Sequence, residues 1–237
     1  MRGSLDIKPE GEELYEGRRW EILREKRNRG MIILETLMES GISGFIYGSV
    51  ARGDVREESD IDVVILDCSL PPSLIEEVLL TEIGDPYYRE IVQASPRSVP
   101  KYHIRFDDEL VVSIPLGTVR MREREFYRFG GRVGLEGLRE GIRVPGVSKE
   151  LKLIYPTPSG HLVFPVIGYE SAVAKILGID EGSVKERVTV LTKRKTVGKT
   201  GLYAYYRLMP GESVEEALSK LRGVKKWFDE RLKEEGL

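Results

Sequence analysis

Gly44-Phe45-Ile46-Tyr47-Gly48-Ser49-Val50-Ala51-Arg52-Gly53-Asp54, followed after four intervening residues by Ser59-Asp60-Ile61-Asp62-Val63-Val64-Ile65, decides how this chain is read. Phe45 to Tyr47 is a short apolar run, read as a buried strand. Gly48-Ser49 then forms a turn in which backbone amides are free and no bulky Cβ blocks the approach of a phosphate. Asp60 and Asp62 stand at i and i+2 of a strand running from Ile61 to Leu66, so both side chains leave one face of the sheet. Two like charges held that close call for a neutralising partner, and a divalent cation is the usual one. Hard carboxylate oxygens suit Mg²⁺, which takes one or two carboxylates together with substrate phosphates. A phosphate cradle beside a carboxylate pair points to metal-assisted phosphoryl or nucleotidyl transfer.

With these residues the chain resembles the DNA polymerase β nucleotidyltransferase superfamily, whose signature is Gly-Ser, roughly ten residues, then Asp-x-Asp on a strand. Here those residues are Gly48-Ser49 and Asp60-Ile61-Asp62, and the stretch from Gly48 to Ile65 looks most like the stand-alone nucleotidyltransferases of prokaryotes, of archaeal type. The resemblance implies a mixed-sheet catalytic domain, Mg²⁺ as cofactor with a two-metal site, and an NTP as substrate. It implies Asp60 and Asp62 as catalytic metal ligands and the Gly48 and Ser49 amides, with the Ser49 hydroxyl, as the phosphate cradle. Arg52 is a candidate phosphate contact, or a turn cap through Asp54.

The same resemblance implies a third carboxylate on a neighbouring strand. The later strands are read as Lys101 to Phe106 and Glu109 to Ile114, joined by an Asp107-Asp108 turn. Glu109, Val111 and Ser113 share one face of the second strand by alternation. Ser113 stands mid-strand, where the family often places its third acid, and only Glu109 or Asp108 could substitute.

Composition bounds the remainder. The chain has 237 residues, a net charge of −2 and 32% charged residues, so global charge does not argue for a nucleic-acid coat protein. Its single Cys68 excludes a disulfide framework. No 18-residue apolar stretch and no signal-peptide pattern at Met1-Arg2-Gly3-Ser4 is present, which predicts a soluble, cytoplasmic protein without a membrane partner. Asn28 and Gln93 are the only amides while Glu, Lys and Arg abound, the bias of thermophile proteins.

The spacing of Trp20, Leu23, Met31, Leu34 and Met38 predicts an amphipathic helix from about Glu12 to Ser40, with a break at Gly30 and with Arg18, Arg24, Arg27 and Arg29 on a solvated face. Pro71 to Leu80 reads as the next helix, and Pro86-Tyr87-Tyr88 and Pro96-Arg97-Ser98 as loops. Thr118 to Gly131 is read as a helix with Phe126, Tyr127 and Phe129 packed inward. Glycines at 130, 131, 134, 137 and 141 place a domain boundary near residue 140. Leu151 to Tyr155 and His161 to Val166 are read as a strand pair, and His103 and His161 as packing or surface histidines.

Ala172, Val173, Ile176 and Leu177, then Gly178-Ile179-Asp180, then Val184, Val188 and Leu191 give a helix-turn-helix pattern. Val197 to Leu208 is read as a β-hairpin wing. Lys185, Arg187, Lys193, Arg194, Lys195, Lys199 and Arg207 against Glu186 make a basic stretch suited to a phosphate backbone, with Lys193, Arg194 and Lys195 as its centre. Ser213-Val214-Glu215-Glu216 is a capping box opening a helix through Leu232 that packs on this winged region.

The expectation is therefore an α/β (α+β) protein: a mixed-sheet nucleotidyltransferase domain over 1–140, with its motif core at 44–66, followed by a small winged-helix-like domain over 141–237. Two functions remain open. One is Mg²⁺-dependent transfer of a nucleoside monophosphate from an NTP to an acceptor hydroxyl. The other is a non-catalytic regulator on a degenerate transferase fold, binding nucleotide and, through the basic stretch, DNA or RNA.

Overall fold

The computed structural model of the chain describes residues 7–67, 70–198, 201–223 and 226–233. Cys68, Lys199 and Val224 lie outside them, as does the Met1-Arg2-Gly3-Ser4 start. The first half runs β1 (Gly11–Leu14), α1 (Gly17–Glu39), β2 (Phe45–Tyr47), α2 (Ser49–Arg52), β3 (Ile61–Val64), α3 (Pro72–Ile83), β4 (Tyr88–Gln93), β5 (Lys101–Arg105), β6 (Leu110–Pro115) and α4 (Met121–Gly130). The second half runs β7 (Arg132–Val133), α5 (Leu135–Arg139), β8 (Gly146–Val147), β9 (Lys152–Thr157), β10 (Gly160–Pro165), α6 (Glu170–Leu177), α7 (Glu181–Val197), β11 (Ala204–Arg207), α8 (Val214–Leu221) and α9 (Lys226–Lys233).

The chain forms two compact units, each assembled from three stretches. The first takes 1–29, 46–59 and 124–200; the second takes 30–45, 60–123 and 201–237. The position near residue 140 falls inside the third stretch of the first unit.

In the first unit, β9 and β10 form an antiparallel hairpin across Pro158-Ser159, as the sequence predicts, and β1 and β8 flank it. The β1 segment was expected as helix. Glu12 and Glu13 instead stand opposite Leu162 and His161, because α1 starts only at Gly17 and the preceding residues add to the open edge of β10. Phe164, Leu153, Val166, Val173 and Val184 are almost completely buried and centre one core, to which α6 and α7 contribute. The turn Gly178-Ile179-Asp180 between these helices matches the sequence pattern. Gly178 takes a left-handed φ of 63°, and Asp180 caps α7 by accepting from the Gly182 amide.

The second unit carries a mixed sheet in the order β11-β4-β5-β6-β3. β3 and β6 run parallel, and the other pairings are antiparallel. Ile91, Tyr102, Ile104, Leu110, Val112, Ile61 and Val63 are buried on one face of it. On that face Glu76 of α3 accepts from Tyr102 at 2.6 Å and from Arg89 at 2.9 Å, giving a buried carboxylate a cationic and a hydroxyl partner.

Three expectations are corrected here. α1 runs unbroken through Gly30, which is buried in the packed helix. Ala204 to Arg207, the expected second strand of the wing, instead pairs with Gln93 to Glu90 of β4, where a longer sheet edge satisfies its backbone. The terminal helix is two helices, divided at Arg222-Gly223, where Gly223 has a φ of 81°. Its first part opens on the predicted capping box and packs against α3 within the second unit. Among the described residues no helix is long and apolar enough to cross a membrane.

Candidate functional site

In the first unit, Gly48 sits between β2 and the one-turn α2 with φ 85° and ψ −149°, a conformation that a side chain strongly disfavours. Its amide donates to Gly131 O at 2.9 Å. The Gly48 amide is therefore already engaged as a structural donor, and Ser49 opens the helical turn beside it. Gly53 closes that turn in the left-handed region with φ 102°.

Arg52 is buried, and each of its three guanidinium nitrogens donates a bond within the unit. Nε and Nη2 form a bidentate pair with Asp54 at 2.9 Å each, and Nη1 donates to Gly130 O at 2.6 Å. Of its two readings, the turn cap is the one these bonds match. Sequence reasoning missed Arg27. It was placed on a solvated face, yet it is only 7% exposed and donates from Nε to Val50 O at 3.0 Å and from Nη2 to Ala51 O at 2.9 Å. Those are carbonyls that a four-residue helix cannot satisfy by itself. Burial first, and then neighbouring Arg143, push the Arg27 guanidinium down to about 10. No signal in the linear pattern separates Arg27 from Arg18 or Arg24, because the α2 carbonyls reach it only in the folded chain.

In the second unit, Asp62 lies within β3 and Asp60 just before it. Alternation puts both on the face opposite Ile61 and Val63, the face that also carries the buried Val64 and Val111. Asp60 is 41% exposed at its side chain and pairs with Arg105 at 3.6 Å. The β3–β6 register sets Asp62 beside Val111 and Val64 beside Ser113. The residue next to the Asp pair is thus Val111, one pleat from the expected Ser113. Ser113 is buried and lies 2.8 Å from His103 Nδ1 on β5, its cross-strand partner. Burial, with Lys101 and Arg105 nearby, pushes His103 down to about 4, so the ring is neutral at pH 7.

Neither substitute acid completes a triad. Asp107 forms the predicted turn, its Oδ1 accepting from the Glu109 and Leu110 amides at 2.8 and 2.9 Å. Asp108 gives its carbonyl to Arg105. Glu109 precedes β6, and its carbonyl accepts from the Ile61 amide at 2.8 Å. Among the described residues no group of three or more acidic, histidine or cysteine side chains is placed to hold a metal ion.

The basic stretch is dispersed by the fold. Arg187 lies over Phe126 and Phe129, at 4.7 and 5.9 Å from their ring centres. Lys185 pairs with Glu181 one turn away, and Arg207 belongs to β11 in the other unit. Lys193, Arg194 and Lys195 remain exposed on the last turns of α7, where Lys195 Nζ reaches Glu150 O at 3.1 Å. Cations there also complement the carbonyl end of the helix.

Residues 32–109, about a third of the chain, match the family model for a nucleotidyltransferase domain. No curated protein matches the chain. A chain in the solved structure of the GLD-2/RNP-8 complex is 17% identical over 40% of this chain, with a TM-score of 0.27. The matched part spans 40% of that protein's chain.

Proposed function

We propose that this chain transfers a nucleoside monophosphate from an NTP to an acceptor hydroxyl with the help of Mg²⁺. The observation that supports it best is the Asp60 and Asp62 pair on one face of β3, inside the stretch that matches a nucleotidyltransferase domain. The donor set suits a single Mg²⁺, which needs one or two carboxylates and completes its shell with phosphate oxygens and water. It does not suit the expected two-metal site, since Val111 occupies the strand position beside Asp62. When bound, Mg²⁺ neutralises charge developing on the transferred phosphoryl group.

The chain's own residues have separable tasks in this reading. Asp60 and Asp62 hold the cation. Gly48 leaves room for a triphosphate, and the Ser49 amide and hydroxyl donate to its oxygens. Arg52 and Arg27 do not touch substrate; they hold α2 in place. Arg105 offsets the charge of Asp60 between turnovers.

A second reading is favoured by Val111 and by the Ser113–His103 bond. Without a third carboxylate to take the acceptor's proton, the site would bind nucleotide and not turn it over, acting as a regulator. Lys193, Arg194 and Lys195 would then contact DNA or RNA.

Incubation with each labelled NTP and Mg²⁺, against cell RNA and protein, tests the choice. Transfer that is lost in Asp62→Asn supports the enzyme. NTP binding without transfer in the wild type supports the regulator. Gly48→Val should remove NTP binding under both, through the backbone conformation that Gly48 alone tolerates, and unchanged affinity in a folded variant refutes the cradle.

A further inference from the structure

β11 closes one side of the second unit's sheet, and among the described residues no strand pairs with its outer edge. The ladder to β4 fixes which of its backbone groups face outward. Leu208 donates its amide to Arg89 O at 2.9 Å, and the register sets Tyr206 beside Ile91 and Ala204 beside Gln93. Bonded positions alternate in an antiparallel pair, so Ala204, Tyr206 and Leu208 turn their N–H and C=O groups towards β4. Tyr205 and Arg207 turn theirs away from it. Both of these residues are exposed, Tyr205 at 52%. The flanks are open as well, with Leu202 49% and Met209 64% exposed.

An open edge of this kind is a template for another strand, and soluble proteins usually blunt it with proline, lysine or a covering segment. The stretch from Leu202 to Met209 contains neither proline nor lysine. It places Leu202, Tyr205 and Met209 beside the free backbone groups instead.

The edge is complementary to itself. When a second copy runs antiparallel about a two-fold axis at Tyr206, Tyr205 of each copy stands opposite Arg207 of the other. These are the residues with outward backbone groups, so this register closes hydrogen bonds on both sides of the axis. It also sets a tyrosine ring against a guanidinium twice, on one face of the joined sheet. The Arg207 guanidinium lies over the Tyr88 ring, 4.4 Å from its centre, which holds it on that face. A register shifted by one residue would set outward groups against inward-turned ones and lose the bonds.

We infer that this chain self-associates through β11, the sheets of two copies joining into one across a two-fold axis at Tyr206. A single strand pair is small beside a standard interface of about 1,600 Å², so the dimer is a weak one. The pairing is independent of the chemistry at Asp60 and Asp62.

Sedimentation velocity on the full chain, from about 1 μM to about 1 mM, tests it and should show a concentration-dependent dimer. Tyr205→Pro removes an outward donor and none of the bonds to β4, a change that an edge strand tolerates. It should weaken association by about fivefold to 150-fold, for one bond lost in each copy. Tyr205→Arg sets like charges opposite each other and should weaken association by about twofold to 30-fold. Mixing the Tyr205→Arg chain with an Arg207→Glu chain should restore it, because opposite charges then meet across the axis. Circular dichroism melts check that each variant is folded. A wild type that stays monomeric at about 1 mM overturns the inference and leaves the edge to an extended segment of some other protein. A dimer that Tyr205→Pro and Tyr205→Arg both leave unchanged overturns it too. Where Tyr205→Pro does not fold, the charge pair decides: a mixture that associates no more tightly than Tyr205→Arg alone overturns the register.

Discussion

Replacing Arg27 by Met tests how the α2 turn is held. The side chain spans from α1 to the Val50 and Ala51 carbonyls with bonds of 3.0 and 2.9 Å, and both of those residues are fully buried. A hydrogen bond from a charged donor contributes about 1.5–3 kcal/mol, and a buried carbonyl left without a donor costs a further ~1–3 kcal/mol. Two effects reduce the total. The Ala51 carbonyl keeps a second donor, the Val144 amide at 3.2 Å, and methionine removes the cost of burying a cation. The net loss should be about 2–3 kcal/mol. For a chain of this size that lowers Tm by roughly 4–12 °C. Circular dichroism melts read the stability, and calorimetry with NTP and Mg²⁺ reads the turn. Arg27→Lys keeps the charge without the fork and should fall between Met and wild type. A Tm within about 1 °C of wild type, or above it, refutes the stabilising role. A normal drop in Tm with unchanged NTP affinity refutes the link from Arg27 to the turn.

Two further outcomes follow from other parts of the chain. His103 is neutral and buried, with its folded value near 4 against 6.5 in the unfolded chain; the unfolded state therefore binds more protons between those values. Stability should be complete above pH 6.5 and fall by about 3 kcal/mol as pH drops towards 4, and urea midpoints for His103→Gln should lack this share of the slope. If Lys193, Arg194 and Lys195 bind nucleic acid with about three contacts, log K should fall with log salt at a slope near −2 to −3; charge reversal to Glu at all three should abolish that term, and salt-independent binding or an unaffected triple variant would remove them as contacts.

The glycine turn, the Asp pair, the β5–β6 hairpin, the β9–β10 hairpin, the helix pair at α6 and α7 and the Ser213 capping box were all legible in the sequence. Each is decided within about twenty residues by alternation, turn chemistry or end capping, and these are local properties of the chain. Tertiary structure decided what no local pattern encodes. Which β6 residue stands beside Asp62 depends on register between strands some fifty positions apart, and a shift of one pleat exchanges Ser113 for Val111. Ala204 to Arg207 reads equally well as a wing or as a sheet edge; the free edge of β4 chose. The arginines of α1 look alike in sequence, and only the carbonyls of α2 make Arg27 a buried strut. The reason is common to all three cases: backbone groups must find partners when they leave water, and the partner available is set by where distant segments come to lie.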